Sequence, residues 1–83
     1  MPRYVLVPPV AAELRLSSRE LDVLLLIAEG LSDKETAGRM GVSSATVRTH
    51  VASLVRKLGA ANRTQLCLRA FEAGVITHAD ESD

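Results

Sequence analysis

The chain has 83 residues, which is enough for one small domain near the size at which a single hydrophobic core is just sufficient. Its one cysteine, Cys67, excludes an intramolecular disulfide and a cysteine-cluster metal site, and no apolar run approaches the ~18 residues of a membrane span. The formal net charge of zero conceals a segregation, because residues 34–69 hold seven Lys or Arg against Glu35 alone while the residues on either side are acidic overall.

The charge pattern favours a central segment that binds a polyanion. A single cysteine is typical of a protein from a reducing compartment, and the start of the sequence shows no signal-peptide pattern. Together these features predict a cytoplasmic protein. Cys67 itself is expected to be a buried small hydrophobic residue.

The first predicted element is the short β-prone run "YVLV" at residues 4–7. Pro8 and Pro9 follow it, so we expect this segment to pair or pack locally without extending into a helix. Residues 1–15 are therefore interpreted as an extended segment or linker.

Four helices are predicted from their capping residues. Ser17 with Glu20 and Ser32 with Glu35 form capping-box patterns, and Ser43 is a further N-cap candidate. Asn62 with Gln65 gives a similar pattern, and glycines at 30, 41, 59 and 74 suit helix termination. The predicted helices span residues 18–29, 33–40, 44–58 and 63–73, and "THADESD" at 77–83 is predicted to be an acidic, disordered tail.

The second and third predicted helices are joined by a short turn that contains Gly41, which is a helix-turn-helix pattern. The predicted fold is all-α: a four-helix, bundle-like domain at residues 16–76 with a short extended N-terminal segment. A step of 100° per residue along the helix at 44–58 places an apolar stripe on one side, formed by Val47, Val51, Leu54 and Leu58.

The opposite side of this helix carries cations, hydroxyls and one alanine, and the helix has no Asp or Glu. Such a slim face has the chemistry that a DNA major groove requires, with Arg48 suited to guanine and Thr49 to a base or a thymine methyl. Thr46 at the start of the helix, and Arg56 and Lys57 near its end, are expected to reach phosphates. Taken alone, this face is equally compatible with an ordinary solvated surface.

Residues 16–76 resemble the LuxR-type (LuxR/GerE) helix-turn-helix domain of bacterial transcription regulators. The matching segments are "LSSREL", "IAEGLSDKE", "GVS", "TVRTHV", "LVRKLG" and "NRTQL", in order and without gaps. Bacterial sigma-factor region 4 shares the general plan, but the histidine of "TVRTH" and the "KLG" before "NR" favour the LuxR type. The resemblance implies a four-helix domain whose third helix enters the major groove and whose fourth helix forms a dimer contact.

The resemblance also implies roles for individual residues. The positions that usually face bases are occupied here by Arg48, Thr49 and Ala52. The positions that usually face phosphates are occupied by Thr46, Arg56, Lys57, Lys34 and Arg63. Ala52 departs from the longer polar residue often found there, so direct readout is expected to depend mainly on Arg48 and Thr49.

Other departures concern stability. Thr36 stands where the family usually has a buried Ile or a similar residue, and Gly38 within the second helix costs about 1 kcal/mol relative to Ala. Leu21 and Leu25 stand at positions that are usually polar, and we expect "YVLV" or a partner to cover this apolar strip.

In the fourth helix, Leu66, Ala70 and Ala73 are predicted to face the core and Leu68 to face outward. The predicted dimer contact comprises Thr64, Gln65, Leu68, Phe71 and Glu72. One face of so short a helix buries little area, so we expect a weak homodimer that is completed on double-stranded DNA.

No enzyme motif is recognisable: there is no Gly-rich phosphate loop, nucleophile with a base, or pair of carboxylates in a plausible pocket. His50 is expected to be structural and His78 to be solvated, so neither is predicted to bind a metal ion. The sequence predicts no cofactor, no membrane association and no small-molecule ligand. Only about 16 residues precede the domain, too few for a receiver or ligand-sensing module.

The predicted function is sequence-specific DNA binding in transcription regulation. The alternative is a protein-interaction module that pairs with a longer regulator of the same family and blocks it.

Overall fold

The computed structural model describes residues 3–79 and contains five helices and two short strands in that range. We number them in chain order, and their bounds are β1 Tyr4–Leu6, α1 Pro8–Glu13, α2 Ser18–Ala28, α3 Asp33–Met40, α4 Ser44–Leu58, α5 Arg63–Glu72 and β2 Ile76–His78. The prediction of a mainly helical domain with a helix-turn-helix is confirmed, with α3 and α4 as its two helices. The four predicted helices correspond to α2–α5, and their ends differ from the prediction by at most one residue.

Side-chain caps begin these four helices where the sequence indicated. At α2 the Ser17 hydroxyl accepts from the Glu20 amide, and the Glu20 carboxylate accepts from the Ser17 amide at 2.8 Å. The same reciprocal pair occurs at α3. Two of these helices, α3 and α4, end at Gly41 and Gly59 with φ of 71° and 68°, where a side chain would be strained.

The expectation that the run at 4–7 does not extend into a helix was wrong, as was the interpretation of residues 1–15 as an extended segment, because Pro8 and Pro9 begin α1. Val7 is extended, as the residue before a proline prefers, and the two prolines occupy the first turn of α1. Backbone N–H groups in the first turn of a helix have no partner within the helix, so proline, which lacks this group, loses no hydrogen bond there. The fixed φ of proline also suits the helix. Ala11 packs into the core, which anchors α1.

The predicted disordered tail at 77–83 was wrong at its beginning. β2 pairs antiparallel with β1, with Leu6 opposite Ile76 and Tyr4 opposite His78. The expected solvated His78 ring stacks on Tyr4 at 5.1 Å and meets Phe71 edge-on at 4.8 Å, although His78 stays exposed overall. Residues 80–83 of the predicted tail lie outside the described residues.

The core contains the predicted stripe of α4, in which Val47 and Leu54 have no exposed surface. α4 packs against α2, α3 and α5, so the rest of the domain fixes its orientation. On α5, Leu66 and Ala70 are buried as predicted, but Ala73 is exposed because α5 ends at Glu72 and Ala73 is its C-cap.

The departures noted in the sequence have structural counterparts. Thr36 is fully buried, and its hydroxyl has no hydrogen-bond partner within residues 3–79. Leu21 and Leu25 are half-buried and pack against the core, and β1 packs against the same helix. Cys67 is half-buried rather than buried, and burial raises the pKa of its thiol.

Candidate nucleic-acid interface

One face of α4 is exposed along most of the helix. The exposed residues recur about once per helical turn, with two adjacent residues in one turn, which places them on one stripe: Ala45, Arg48, Thr49, Ala52 and Arg56. We call these five residues the α4 stripe. Sequence reasoning missed Ala45, although it lies one helical turn before Thr49 and the same angular step would have found it.

The stripe contains two arginines, and both side chains are exposed. Within residues 3–79, neither Arg48 nor Arg56 makes a side-chain hydrogen bond or an ion pair. A guanidinium carries five N–H donors in a planar fork, which suits a phosphate or the edge of guanine. The stripe therefore presents two cationic donor groups with no neighbouring acid on the same helix.

Hydroxyl groups at the start of α4 are already engaged. The Ser43 hydroxyl accepts from the Thr46 amide at 3.1 Å and lies 3.0 Å from the Thr46 hydroxyl. One turn later, the Thr49 hydroxyl donates to the carbonyl oxygen of Ala45 at 3.1 Å. Thr46 is half-buried at the helix N-terminus, where the positive end of the helix dipole favours an anion.

Lys57 and Ser53 do not belong to the exposed face. The Lys57 ammonium lies 2.9 Å from Glu20 Oε1 and donates to the carbonyl oxygen of Arg15 at 2.9 Å, and Ser53 donates to the other carboxylate oxygen of Glu20. We call Ser17, Glu20, Ser53 and Lys57 the Glu20 cluster. These contacts engage two of the three N–H donors of Lys57 and favour a structural role for this residue.

Glu20 is 5% exposed, which would by itself raise the pKa of its carboxyl group. Hydrogen bonds from Ser53, the Ser17 amide and Lys57, together with the Lys57 charge, outweigh burial and lower this pKa to about 2. The cluster thus joins the start of α2 to the last half of α4 and, together with the buried apolar stripe of α4, sets the rotation of α4 about its axis. That rotation determines which residues form the α4 stripe.

The two remaining predicted phosphate contacts lie on neighbouring helices. Lys34 is exposed near the start of α3 and has no side-chain partner within the described residues. Arg63 at the start of α5 is exposed but pairs with Asp33. Arg63, Asp33, Arg48 and Ala52 line a common groove, so the start of α5 lies beside the α4 stripe.

The outer face of α5 differs from the α4 stripe because it exposes a large apolar side chain. Leu68 is 56% exposed, and Thr64 and Gln65 are exposed beside it. Phe71 is half-buried, with its ring 5.9 Å from Tyr4, and Glu72 pairs with Arg69 at 3.0 Å. The five residues of the predicted dimer contact therefore divide into three free positions and two that already have internal contacts.

Among residues 3–79, no group of three or more His, Cys, Asp or Glu side chains could hold a metal ion. None of the helices in that range is long and apolar enough to cross a membrane.

Residues 14–70 match the family model described as bacterial regulatory proteins, luxR family. The response regulator protein VraR of Staphylococcus aureus is 41% identical over 61 residues, which cover 74% of this chain and 29% of that protein, and the Staphylococcus epidermidis protein of the same name matches equally. The solved structure of response regulator ChrA from a heme-sensing two-component system has a TM-score of 0.65 and 38% identity, covering 69% of this chain and 28% of that one. The chain thus matches somewhat under a third of the length of these relatives.

Proposed function

The chain belongs to the luxR family of bacterial regulatory proteins, and we propose that it acts in transcription regulation by binding double-stranded DNA with α4 in the major groove. The observation that carries the proposal is the α4 stripe, which exposes Arg48 and Arg56 without a side-chain partner among residues 3–79, on a helix that has no acidic residue. Exposed cations on a helix that carries no acid are what an anionic ligand requires.

The proposed contacts follow from position and free donors. Arg48, Thr49 and Ala52 face base edges at the centre of the stripe. Arg56, Lys34 and the start of α4 at Thr46 face phosphates, and Arg63 joins them when it exchanges Asp33 for a phosphate. Lys57 is the weakest member of the predicted set because Glu20 holds it. Action on DNA also implies a cytoplasmic location.

The test is selection of duplexes from a randomised pool by the purified 83-residue protein, followed by anisotropy titrations of one selected duplex. We expect a defined sequence to be enriched and to be bound far more tightly than a scrambled duplex. Arg19→Ala, which removes an exposed arginine from α2, is the matched control for changes in the stripe. No enrichment over the starting pool would contradict the proposal.

We further propose that two copies meet through α5, with Leu68, Thr64 and Gln65 in the contact and Phe71 and Glu72 at its edge. Leu68 supports this because it is a large apolar side chain that is more than half exposed. One face of the 10-residue helix α5 buries too little area for a stable free dimer, so DNA with two half-sites would complete the contact.

Leu68→Glu tests the dimer. The variant should fold and bind a single half-site like the wild type but lose cooperative binding to a paired site, because a charge would be buried at the contact. Thr77→Glu, at an exposed position of β2, is the control for added negative charge. Cooperative binding by Leu68→Glu equal to that of the wild type would place the dimer contact elsewhere.

The alternative function, pairing with a longer regulator to block it, would use the same α5 face. It differs in predicting heterodimer formation without DNA and no enrichment in the duplex selection. The free arginines of the α4 stripe favour DNA binding over this alternative, because pairing through α5 gives them no role.

A further inference from the structure

The centre of the α4 stripe is poor in hydrogen-bond donors. Between its two arginines lie two small side chains, Thr49 and Ala52, and Ala45 precedes them one turn earlier. All three are exposed, and the two alanines offer only a methyl group to a partner. The donor capacity of this region therefore depends on the hydroxyl of Thr49.

That hydroxyl is committed within the helix. Its proton is donated to the carbonyl oxygen of Ala45 at 3.1 Å, the bond to residue i−4 that threonine forms in helices. Turning the hydroxyl toward a base acceptor would exchange one hydrogen bond for another with little net gain. The groups that Thr49 leaves free for a partner are its methyl group and an oxygen lone pair.

In the major groove, the C5-methyl of thymine is the apolar group among donors and acceptors, and it is the natural partner of exposed methyls. We infer that α4 reads thymine methyl groups with Thr49 and Ala52, beside one guanine bound by Arg48. This inference rests on the proposed DNA-binding function and assigns Thr49 an apolar contact in place of the hydrogen bond that its hydroxyl would otherwise suggest.

The spacing along the helix limits where these bases can lie. Thr49 and Ala52 are three residues apart, which is a rise of about 4.5 Å, and base pairs stack every ~3.4 Å. The two methyls therefore meet thymines on the same or neighbouring base pairs. Because Arg48 precedes Thr49 directly, the guanine should lie next to these thymines in each half-site.

The test uses two randomised duplex pools, one synthesised with thymidine and one with deoxyuridine, which lacks only the C5-methyl group. The full chain should select a thymine-containing site with a neighbouring guanine from the first pool. Replacing either of the thymines next to that guanine by uracil should weaken binding about fourfold, the effect of burying one methyl group. Uracil at a thymine outside the selected site is the control for a general effect of the base.

Two variants separate the methyl of Thr49 from its hydroxyl. Thr49→Val keeps a methyl and removes the hydroxyl, so its affinity for the selected duplex should stay within about twofold of that of the wild type. Thr49→Ser keeps the hydroxyl and removes the methyl, so it should weaken binding about fourfold. Combining Thr49→Ser with uracil at the contacted base should weaken binding no further, because the two changes remove the same contact.

The opposite pattern would overturn the inference: loss of binding in Thr49→Val with retention in Thr49→Ser identifies the hydroxyl as the contact. Equal affinity for thymine and uracil at every position would also overturn it while leaving DNA binding intact. If neither pool is enriched, the proposed function fails together with the inference. Circular dichroism of both variants confirms that α4 is intact in each comparison.

Discussion

The α4 stripe and the α4 residues of the Glu20 cluster lie on different sides of the same helix. They differ in whether their charged groups have partners within the protein. In the cluster, every charged or hydroxyl group has a partner, and the Glu20 carboxylate accepts hydrogen bonds from three residues. In the stripe, Arg48 and Arg56 are without internal partners in the described part of the chain.

Arg56 and Lys57 show the difference most directly, because they are adjacent in the sequence and have different environments. The comparison teaches that cations in one helix need not share a role. Cations whose charge is satisfied within the fold stabilise it, whereas cations that the fold leaves unpaired are available to a ligand.

Removing the carboxylate at the centre of the cluster should have the largest effect. Glu20→Ala leaves Lys57, Ser53 and the Ser17 amide without their acceptor, and it should lower the free energy of unfolding by about 3 kcal/mol. Urea denaturation followed by circular dichroism measures the change. The control is Glu13→Ala, which removes an exposed carboxylate from the end of α1. An equal decrease in the free energy of unfolding in both variants would show that the contacts of the Glu20 cluster do not stabilise the fold.

Acid should act on the same cluster without a mutation. The pKa of Glu20 is lowered to about 2 in the folded protein from its ordinary value of 4.5. A lowered folded-state pKa means that the unfolded chain binds the proton more readily, so the stabilisation is complete above pH 4.5 and is lost as pH falls toward 2. Integrated over this window the contribution is about 3 kcal/mol. Urea denaturation at several pH values should show this loss, and Glu20→Gln should reduce the pH dependence.

In the stripe, Arg48→Ala should weaken binding to the selected duplex by about 1 to 3 kcal/mol and relax the preference at one base pair. The free energy of unfolding should change by less than about 0.5 kcal/mol, because the exposed Arg48 side chain has no partner in the part of the chain that the structure describes. This is the reverse of Glu20→Ala. An equal loss of affinity for selected and random duplexes would reassign Arg48 to the phosphate backbone.

Thr36 extends the comparison to a buried polar group that has no hydrogen-bond partner between residues 3 and 79. Thr36→Val removes the unpaired hydroxyl while keeping the shape of the side chain, and it should raise the free energy of unfolding by about 1 kcal/mol. Thr77→Val, at an exposed position of β2, is the matched control. A decrease in stability in Thr36→Val would mean that the hydroxyl has a partner, such as a buried water molecule.

The smallest expected effect separates Arg56 from Lys57. Arg56→Ala should reduce the slope of log affinity against log salt by about one, as the loss of one phosphate contact does. Lys57→Ala should leave the slope unchanged and instead lower stability through the Glu20 cluster. Equal changes of slope in the two variants would restore Lys57 to the phosphate contacts.

Local chemistry explains why α2–α5 were predictable. Each begins at a side-chain cap and follows an apolar period that the sequence displays directly, so their bounds required no knowledge of distant residues. The two ends of the chain were predicted less well because they depend on each other. β2 is too short to be stable alone. It forms because β1 pairs with it and because Phe71 packs against the rings of Tyr4 and His78.

The sequence by itself determined the helix-turn-helix pattern, the buried stripe of α4 and the cationic character of its opposite face, because helical periodicity and capping are local properties. Only the tertiary structure decided which cations and hydroxyls of α4 are free. Glu20 lies 37 residues before Lys57, and no local rule predicts that its carboxylate would hold Lys57 and Ser53 while leaving Arg56 exposed. The physical reason is that a cation is free for a ligand when the folded chain brings no acid to it, and for Arg56 and Lys57 that depends on how α2 packs against α4.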